Sequence, residues 1–347
     1  MSRRNIKDLG LKELEEILNS WGHQRFHAKQ IHSWIYVKGA VSFDAMSDLA
    51  LGLRERLKES FSFFELELAE IAESGDGTKK FLFKLKDNNL IEAVTIPAER
   101  RITGCISSQV GCKYACCFCA SGMLGFKRNL TASEIIEEVL YLKYNLKDER
   151  ISHIVFMGTG EPLDNYDNLL KAIRIINAKD GIGIGARRIT ISTCGIIPGI
   201  KRLAGEDLQV ELSISLHAAS DKIRSQLVPL NKQYPLKSLI SACKEYIRKT
   251  NRQITFEYVL INDLNSDLQN ARNLSTILKD LKLAKVNLIP ANPIKELKIE
   301  PPEKSEILKF KDYLVEEGVN VTLRKPRGSD IEAACGQLRL RYGEKQS

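Results

Sequence analysis

The chain has 347 residues, 43% of them hydrophobic, enough to bury the core of one large domain and a small one. It carries 52 Lys and Arg against 44 Asp and Glu, a formal net charge of +8 that suits a phosphate-rich partner without establishing one. The first 22 residues hold no apolar signal region, and no run of about 18 apolar residues occurs anywhere, so a membrane span is excluded and a soluble, cytoplasmic protein is expected. Eight cysteines, clustered at irregular spacing, point to metal or catalysis in a reducing compartment and away from a disulfide framework.

Residues 1–62 read as helical. Leu11, Leu14, Ile17 and Leu18 fall at helical spacing, as do Leu49, Leu53 and Leu57. Between them a basic and aromatic stretch runs from Gln24 to Tyr36. Its residues fit a small helical core with exposed arginines, or an accessory domain that touches RNA. Residues 63–98 change character: 81–85 and 91–96 read as strands around a turn at Asp87-Asn88-Asn89, a β-hairpin connector. The third segment, 99–347, alternates strand and helix. Candidate strands are 104–109, 153–157, 188–193, 210–216, 254–261 and 285–290. Helices are expected near 131–147, with a capping box at Thr131 and Glu134, and near 166–178, 235–249, 266–280 and 303–317, followed by a strand at 319–324. Alternation of this kind predicts a parallel α/β sheet, either doubly wound or a partial barrel, with its site at the C-terminal ends of the strands.

The motifs fall at those strand ends. After the first strand, Cys112, Cys116 and Cys119 stand in C-x3-C-x2-C spacing. A [4Fe–4S] cluster takes one thiolate per iron, so three thiolates leave one iron open to a substrate. A zinc site would call for a second Cys or His pair, and none follows. Cys117 lies off the spacing and reads as a bystander; Cys194 and Cys243 read as small buried hydrophobes. Gly158, Gly160 and Glu161 follow the second strand, where glycines allow close backbone approach and the carboxylate can pair with an ammonium group. Ser192, Ser215, His217 and Asn292 close the later strands, a ring of groups able to hydrogen-bond a nucleoside. Near the C-terminus Cys335 follows Arg324, Lys325 and Arg327, and positive charge favours a reactive thiolate.

With these stretches together, the sequence resembles the RlmN/Cfr family of radical S-adenosylmethionine RNA methyltransferases over almost its whole length. The resemblance is carried by Cys105–Cys112, the three-cysteine motif, Gly125–Leu130, Gly160–Leu163, Ser215–His217, Asn287–Pro290 and Asp330–Leu338. It implies a partial (β/α)6 TIM-like radical SAM barrel preceded by a small helical accessory domain that contacts RNA. It implies a [4Fe–4S] cluster on Cys112, Cys116 and Cys119, and S-adenosylmethionine contacts at Gly160, Glu161, Ser192, Ser215, Leu216, His217 and Asn292. Cofactor use is implied at two molecules per turnover, with an electron donor such as flavodoxin or ferredoxin. The chain is expected to act as a monomer.

Adenine carbon-2 is electron-poor, which is why the family does not rely on simple nucleophilic attack. The resemblance implies that Cys335 is first methylated, that a 5′-deoxyadenosyl radical takes a hydrogen atom from that methyl group, and that the methylene radical adds to the base. Cys105 matches the thiol that releases the product by forming a disulfide with Cys335. Glu92 matches a carboxylate assigned as proton acceptor, and Cys105 is the other candidate for that step. The implied substrate is an adenosine in the peptidyl-transferase centre of 23S ribosomal RNA, and in some members adenosine 37 of certain tRNAs. Pro162 is RlmN-like, which favours carbon-2 over the carbon-8 methylation of Cfr-type members. Thr159 and Ala291 depart from the commonest RlmN pattern. An alternative of another class, a non-catalytic iron–sulfur RNA-binding protein, would need neither Cys105 nor Cys335.

Overall fold

The computed structural model describes residues 3–99, 101–123, 125–146, 150–292, 299–325, 327–334 and 336–338. Cys335 lies outside the described residues. The first sixty residues fold as α1 (Leu11–Ser20), α2 (Arg25–Tyr36) and α3 (Leu51–Ser60). Leu14, Leu18, Ile31, Ile35, Leu53 and Leu57 are buried at the helical period the sequence displays, and they join the main core. The expected hairpin gains a third strand. β1 (Glu67–Glu73), β2 (Lys79–Lys84) and β3 (Leu90–Ala98) form an antiparallel meander. β1 has an exposed, charge-rich pattern that the hydrophobic reading passed over.

The meander continues directly into the large sheet. β3 pairs antiparallel with β4 (Arg101–Cys105), and from β4 onward every neighbour is parallel: β7 (Ile151–Phe156), β8 (Ile189–Thr193), β9 (Glu211–Ser215), β10 (Ile254–Leu260), β11 (Ala284–Pro290) and β12 (Asn320–Leu323). These strands lie in the order of the chain. A doubly wound sheet reverses its strand order at a switch point; this one does not, so of the two architectures open in the sequence the singly wound partial barrel is the one formed. The expected strand 104–109 divides, because the chain leaves the sheet at Cys105 and pairs β5 (Gln109–Gly111) with β6 (Phe126–Asn129) instead. That small ribbon frames the cysteine loop.

Helices alternate with the strands: α4 (Ala132–Asn145), α5 (Tyr166–Asn177), α6 (Ile197–Leu203), α7 (Asp221–Leu227), α8 (Leu236–Thr250), α9 (Leu268–Leu278) and α10 (Lys304–Glu316). The capping box at Thr131 and Glu134 is present at the start of α4. The short α6 and α7 escaped the sequence reading, since seven residues give too few turns for a periodic signal.

The helical segment is tied to α4 by a buried ion pair. Lys7 Nζ meets Glu137 Oε1 with both side chains almost fully covered, and Nζ also donates to the Phe64 carbonyl at 2.9 Å. Asp8 Oδ1 accepts from Ser133 N at 2.8 Å in the first turn of α4. Burial works against both charges of the pair, and each is held by the other. Lys7→Met should therefore cost about 3 kcal/mol in urea unfolding, by leaving Glu137 buried and uncompensated, while Lys7→Met with Glu137→Leu should recover most of that loss. A single variant as stable as wild type would show that the pair does not hold the segment.

Candidate active site

The three cysteines line one cavity of about 1020 Å³, counting space open to solvent, at the C-terminal ends of the strands. Gly160, Glu161, Ser192, Ser215, His217 and Asn292 line it too, so the sheet brings together most of what the sequence singled out. Leu216 is the exception. Its side chain is in the core, its N–H donates to Glu257 and its carbonyl accepts from Arg224 Nε at 3.1 Å. Phe118 and Glu257, which sequence reasoning missed, also line the cavity, as do Cys194, which reads in the sequence as a small hydrophobe, and Arg324, noted there only for its charge.

The cysteine loop is held from several sides. Cys112 N donates to Gly125 O, and Cys117 N to Leu227 O at 3.0 Å, which turns Cys117 away from the cavity lining. Asp164 accepts from Tyr114 Oη at 3.1 Å and Gln109 Nε2 at 3.0 Å, and pairs with Lys113 Nζ at 2.7 Å. Burial pushes the Cys112 thiol up to about 12 and Cys116 well above its ordinary range, so a metal that takes them as thiolates must displace their protons.

On the facing side, Glu161 is buried and does not offer its whole carboxylate to a ligand. Oε1 accepts from Leu163 N at 3.0 Å and Oε2 from Cys194 N at 2.7 Å, which locks the loop after β7 to the end of β8. Arg224, on α7, is fully buried and donates to Cys194 O at 2.7 Å and Asn231 Oδ1 at 2.9 Å. Gly160 has φ +107°, and a Cβ there would fall 2.6 Å from Gln109 Cβ. Only glycine fits, and it keeps this wall as bare backbone. Ser192 Oγ and Ser215 Oγ stand 3.5 Å apart. Val259 N donates to His217 Nδ1 at 3.1 Å, which places the ring proton on Nε2, and burial pushes His217 down to about 3, so it is a neutral donor.

A second cavity adjoins the first and shares Cys119, Met157, Gly158, Ile289, Asn292, Arg324 and Gly336 with it. Cys105 lines this cavity, with Ala334 and Gly336, the chain neighbours of Cys335. Gly336 O accepts from Ala120 N at 2.7 Å, and a Cβ on Gly336 would fall 2.5 Å from Phe118 O. Glu92 lines neither cavity. It sits two residues before Val94, the register partner of Cys105, and alternation puts Glu92 and Val94 on the same face of β3. It is 2% exposed; Lys80 Nζ lies 3.4 Å from Oε1, and Oε2 has no hydrogen-bond partner among the described residues. Burial pushes its carboxyl up to about 7 against the pull of Lys80.

A singly wound parallel sheet with a three-thiol loop at its first strand end defines a radical SAM enzyme, and the model of the radical SAM superfamily matches residues 106–274. The model of the ribosomal RNA large subunit methyltransferase N-terminal domain matches residues 4–62. A probable dual-specificity RNA methyltransferase RlmN from a Thermoanaerobacter species is 47% identical over 97% of this chain and 98% of its own length. A protein of the same description from Enterococcus faecalis is 41% identical over 100% of this chain and 99% of its own. The crystal structure of a radical SAM methyltransferase from Sphaerobacter thermophilus superposes with a TM-score of 0.92 at 43% identity, covering 97% and 99% of the two chains. The chain belongs to the RlmN family of radical SAM RNA methyltransferases.

The family implies a [4Fe–4S] cluster and S-adenosylmethionine. The residues fit both. Three soft thiol donors share one cavity wall, and a polynuclear cluster takes each on its own iron. Gly158 and Gly160 line the same cavity without side chains; a Cβ at Gly158 would fall 2.7 Å from the Ile106 carbonyl carbon, so close packing on the chain after β4 requires glycine there. Among the described residues no three His, Cys, Asp or Glu groups converge on a single ion.

Glu92 supplies a test of the electrostatics. A carboxyl raised on folding contributes stability below its unfolded value, near 4.5, and loses it as pH rises through about 7. Glu92→Gln keeps the shape without the titration. The stability difference should move in favour of the variant by roughly 3 kcal/mol between pH 4.5 and pH 8. A difference independent of pH would show that Glu92 titrates as an ordinary surface carboxylate.

Proposed function

We propose that this enzyme methylates carbon-2 of adenosine in RNA, with the peptidyl-transferase adenosine of 23S ribosomal RNA as substrate and adenosine 37 of tRNA as a second one, through a methyl group carried on Cys335. The observation that carries the reading is the shared wall of the two cavities: Cys105, Ala334 and Gly336 line a space continuous with the one lined by Cys112, Cys116 and Cys119. A non-catalytic binding protein has no use for a second thiol at that place. The description of its relatives as probable dual-specificity RNA methyltransferases supports two RNA substrates.

When bound on Cys112, Cys116 and Cys119, the cluster would supply, with electrons from a donor of the flavodoxin or ferredoxin kind, the one-electron chemistry that an electron-poor ring carbon requires. Two cofactor molecules are consumed per turnover, one for the methyl group and one for hydrogen abstraction. Gly160, Ser192, Ser215, His217 and Asn292 hold the cofactor, with Glu161 bracing them. The Cys335 thiol carries the methyl group to the base. Cys105 lines the second cavity and Glu92 does not, so we assign removal of the ring proton to the Cys105 sulfur as well as release of the product. The Cys105–Cys335 disulfide forms as the Cys335 S–CH2 bond breaks, the proton held on Cys105 passes to the freed carbon to complete the methyl group, and the one electron left over is one the cluster would take back. Glu92, with Lys80 beside it and Lys80 Nζ donating to Glu332 O at 3.4 Å, supports the tail from the sheet side.

The test is nucleoside mass spectrometry after anaerobic incubation of reconstituted enzyme with protein-free ribosomal RNA, S-adenosylmethionine and a reductant. The expected product is 2-methyladenosine. Cys335→Ala should abolish it while leaving iron content and cofactor binding intact. Appearance of 8-methyladenosine would overturn the carbon-2 assignment, and loss of the cluster in the variant would overturn the role of Cys335.

A further inference from the structure

The turn between β1 and β2 reads Ser74-Gly75-Asp76-Gly77-Thr78. None of these residues lines either cavity, yet Ser74 and Thr78 are buried. A turn of this kind closes with the carboxylate of Asp76 on the N–H of Thr78, and Asp76 Oδ1 makes that bond at 2.9 Å. Ser74 N also donates to Thr78 O at 2.8 Å and Gly77 N to Ser74 O at 3.0 Å within the turn, and further groups of the turn reach a segment about 250 residues away in sequence. Ser74 Oγ donates to Asp330 Oδ1 at 2.6 Å, and Gly75 N to Asp330 Oδ2 at 3.4 Å. In the other direction, Gly328 N donates to Asp76 Oδ2 at 3.1 Å, and Arg327 Nη1 lies 3.8 Å from the same oxygen. The approach is close: Gly328 has φ +62°, and a Cβ there would fall 2.7 Å from Thr78 Cγ2. At the far end, Gly336 O and Leu338 O accept from Ala120 N and Ser121 Oγ on the cysteine loop. The tail is thus anchored at 327–330 by the turn and at 336–338 by the cysteine loop, and Cys335 lies in sequence between the anchors.

We propose that Ser74 and Asp76 are positioning residues for methyl transfer: the turn fixes one end of the tail and so holds Ala334 and Gly336, the chain neighbours of Cys335, at the cavity lined by Cys105. This rests on the reading of Cys335 as methyl carrier. Reciprocal bonds set the position in a way that a hydrophobic contact would not. Ser74 gives to the tail, Asp76 accepts from it, and sliding the tail by one residue breaks both.

The test uses the full, cluster-loaded chain. Ser74→Ala and Asp76→Asn should raise amide hydrogen exchange in 327–338 by about tenfold or more, since each removes an anchoring bond. They should also lower transfer of methyl from Cys335 to RNA by about tenfold or more, because the reacting atoms lose their placement. Iron content and S-adenosylmethionine binding should stay at wild-type values. Ser74→Thr keeps the hydroxyl and should restore both readouts. Asp330→Asn, made from the tail side, should match Ser74→Ala, and combining the two should add little. Unchanged exchange would overturn the proposal, as would raised exchange with undiminished transfer. A wild-type protein in which peptide mass spectrometry finds no methylated Cys335 would contradict the carrier reading instead, and the exchange result would then decide whether the turn anchors the tail.

Discussion

The backbone of one residue, Cys194, holds the mouth of the barrel together. The N–H of Cys194 points at the buried carboxylate of Glu161, and its carbonyl accepts from the buried guanidinium of Arg224. Glu161 belongs to the loop after β7, Cys194 follows β8, and Arg224 also reaches the carbonyls of Ser215 and Leu216 after β9. Two charges taken out of water are costly on their own. Here the carboxylate is satisfied by backbone amides and the guanidinium by backbone carbonyls and Asn231, and three strand ends are fixed relative to one another. The serines and His217 that line the cavity ride on those ends, so their spacing follows from the pairing of Glu161 and Arg224 across Cys194.

The cysteine loop then needs only to be brought over this platform. Asp164, three residues beyond Glu161, takes Tyr114, Lys113 and Gln109 and so fastens the loop to the same strand end. The C-terminal segment completes the arrangement from the other side, gripping the loop at Ala120 and Ser121 and the β1–β2 turn at Ser74 and Asp76. The meander is therefore part of the site. It extends the sheet at β4, carries Glu92 beside the register position of Cys105, and offers the turn on which the tail rests.

The sequence displayed what depends on periodicity and spacing. The strands from β7 to β11, the helices α4, α5, α8, α9 and α10, the capping box at Thr131 and the three cysteines were all readable, because each rests on local residue pattern. What was not readable depends on tertiary partners. Arg224 sits in a short helix whose sequence looks like a solvated face, and nothing local reveals that it is buried. Cys194 looked like a small core residue; its thiol is buried, but its backbone N–H and carbonyl tie the strand ends of the mouth together. Glu161 was read as a partner for a ligand's ammonium group, whereas its oxygens first hold backbone amides. The turn at 74–78 escaped the sequence reading along with β1, because its partners lie near the other end of the chain.

The central claim is that Cys105 and Cys335 act on one substrate in one cavity. The direct measurement is to incubate the Cys105→Ala enzyme anaerobically with RNA, S-adenosylmethionine and a reductant, digest the product, and map any RNA–peptide cross-link by mass spectrometry. The account predicts a stable adduct that joins an adenosine to Cys335, because the thiol that removes the proton and releases the product is gone. Free, fully methylated RNA with no adduct would contradict it.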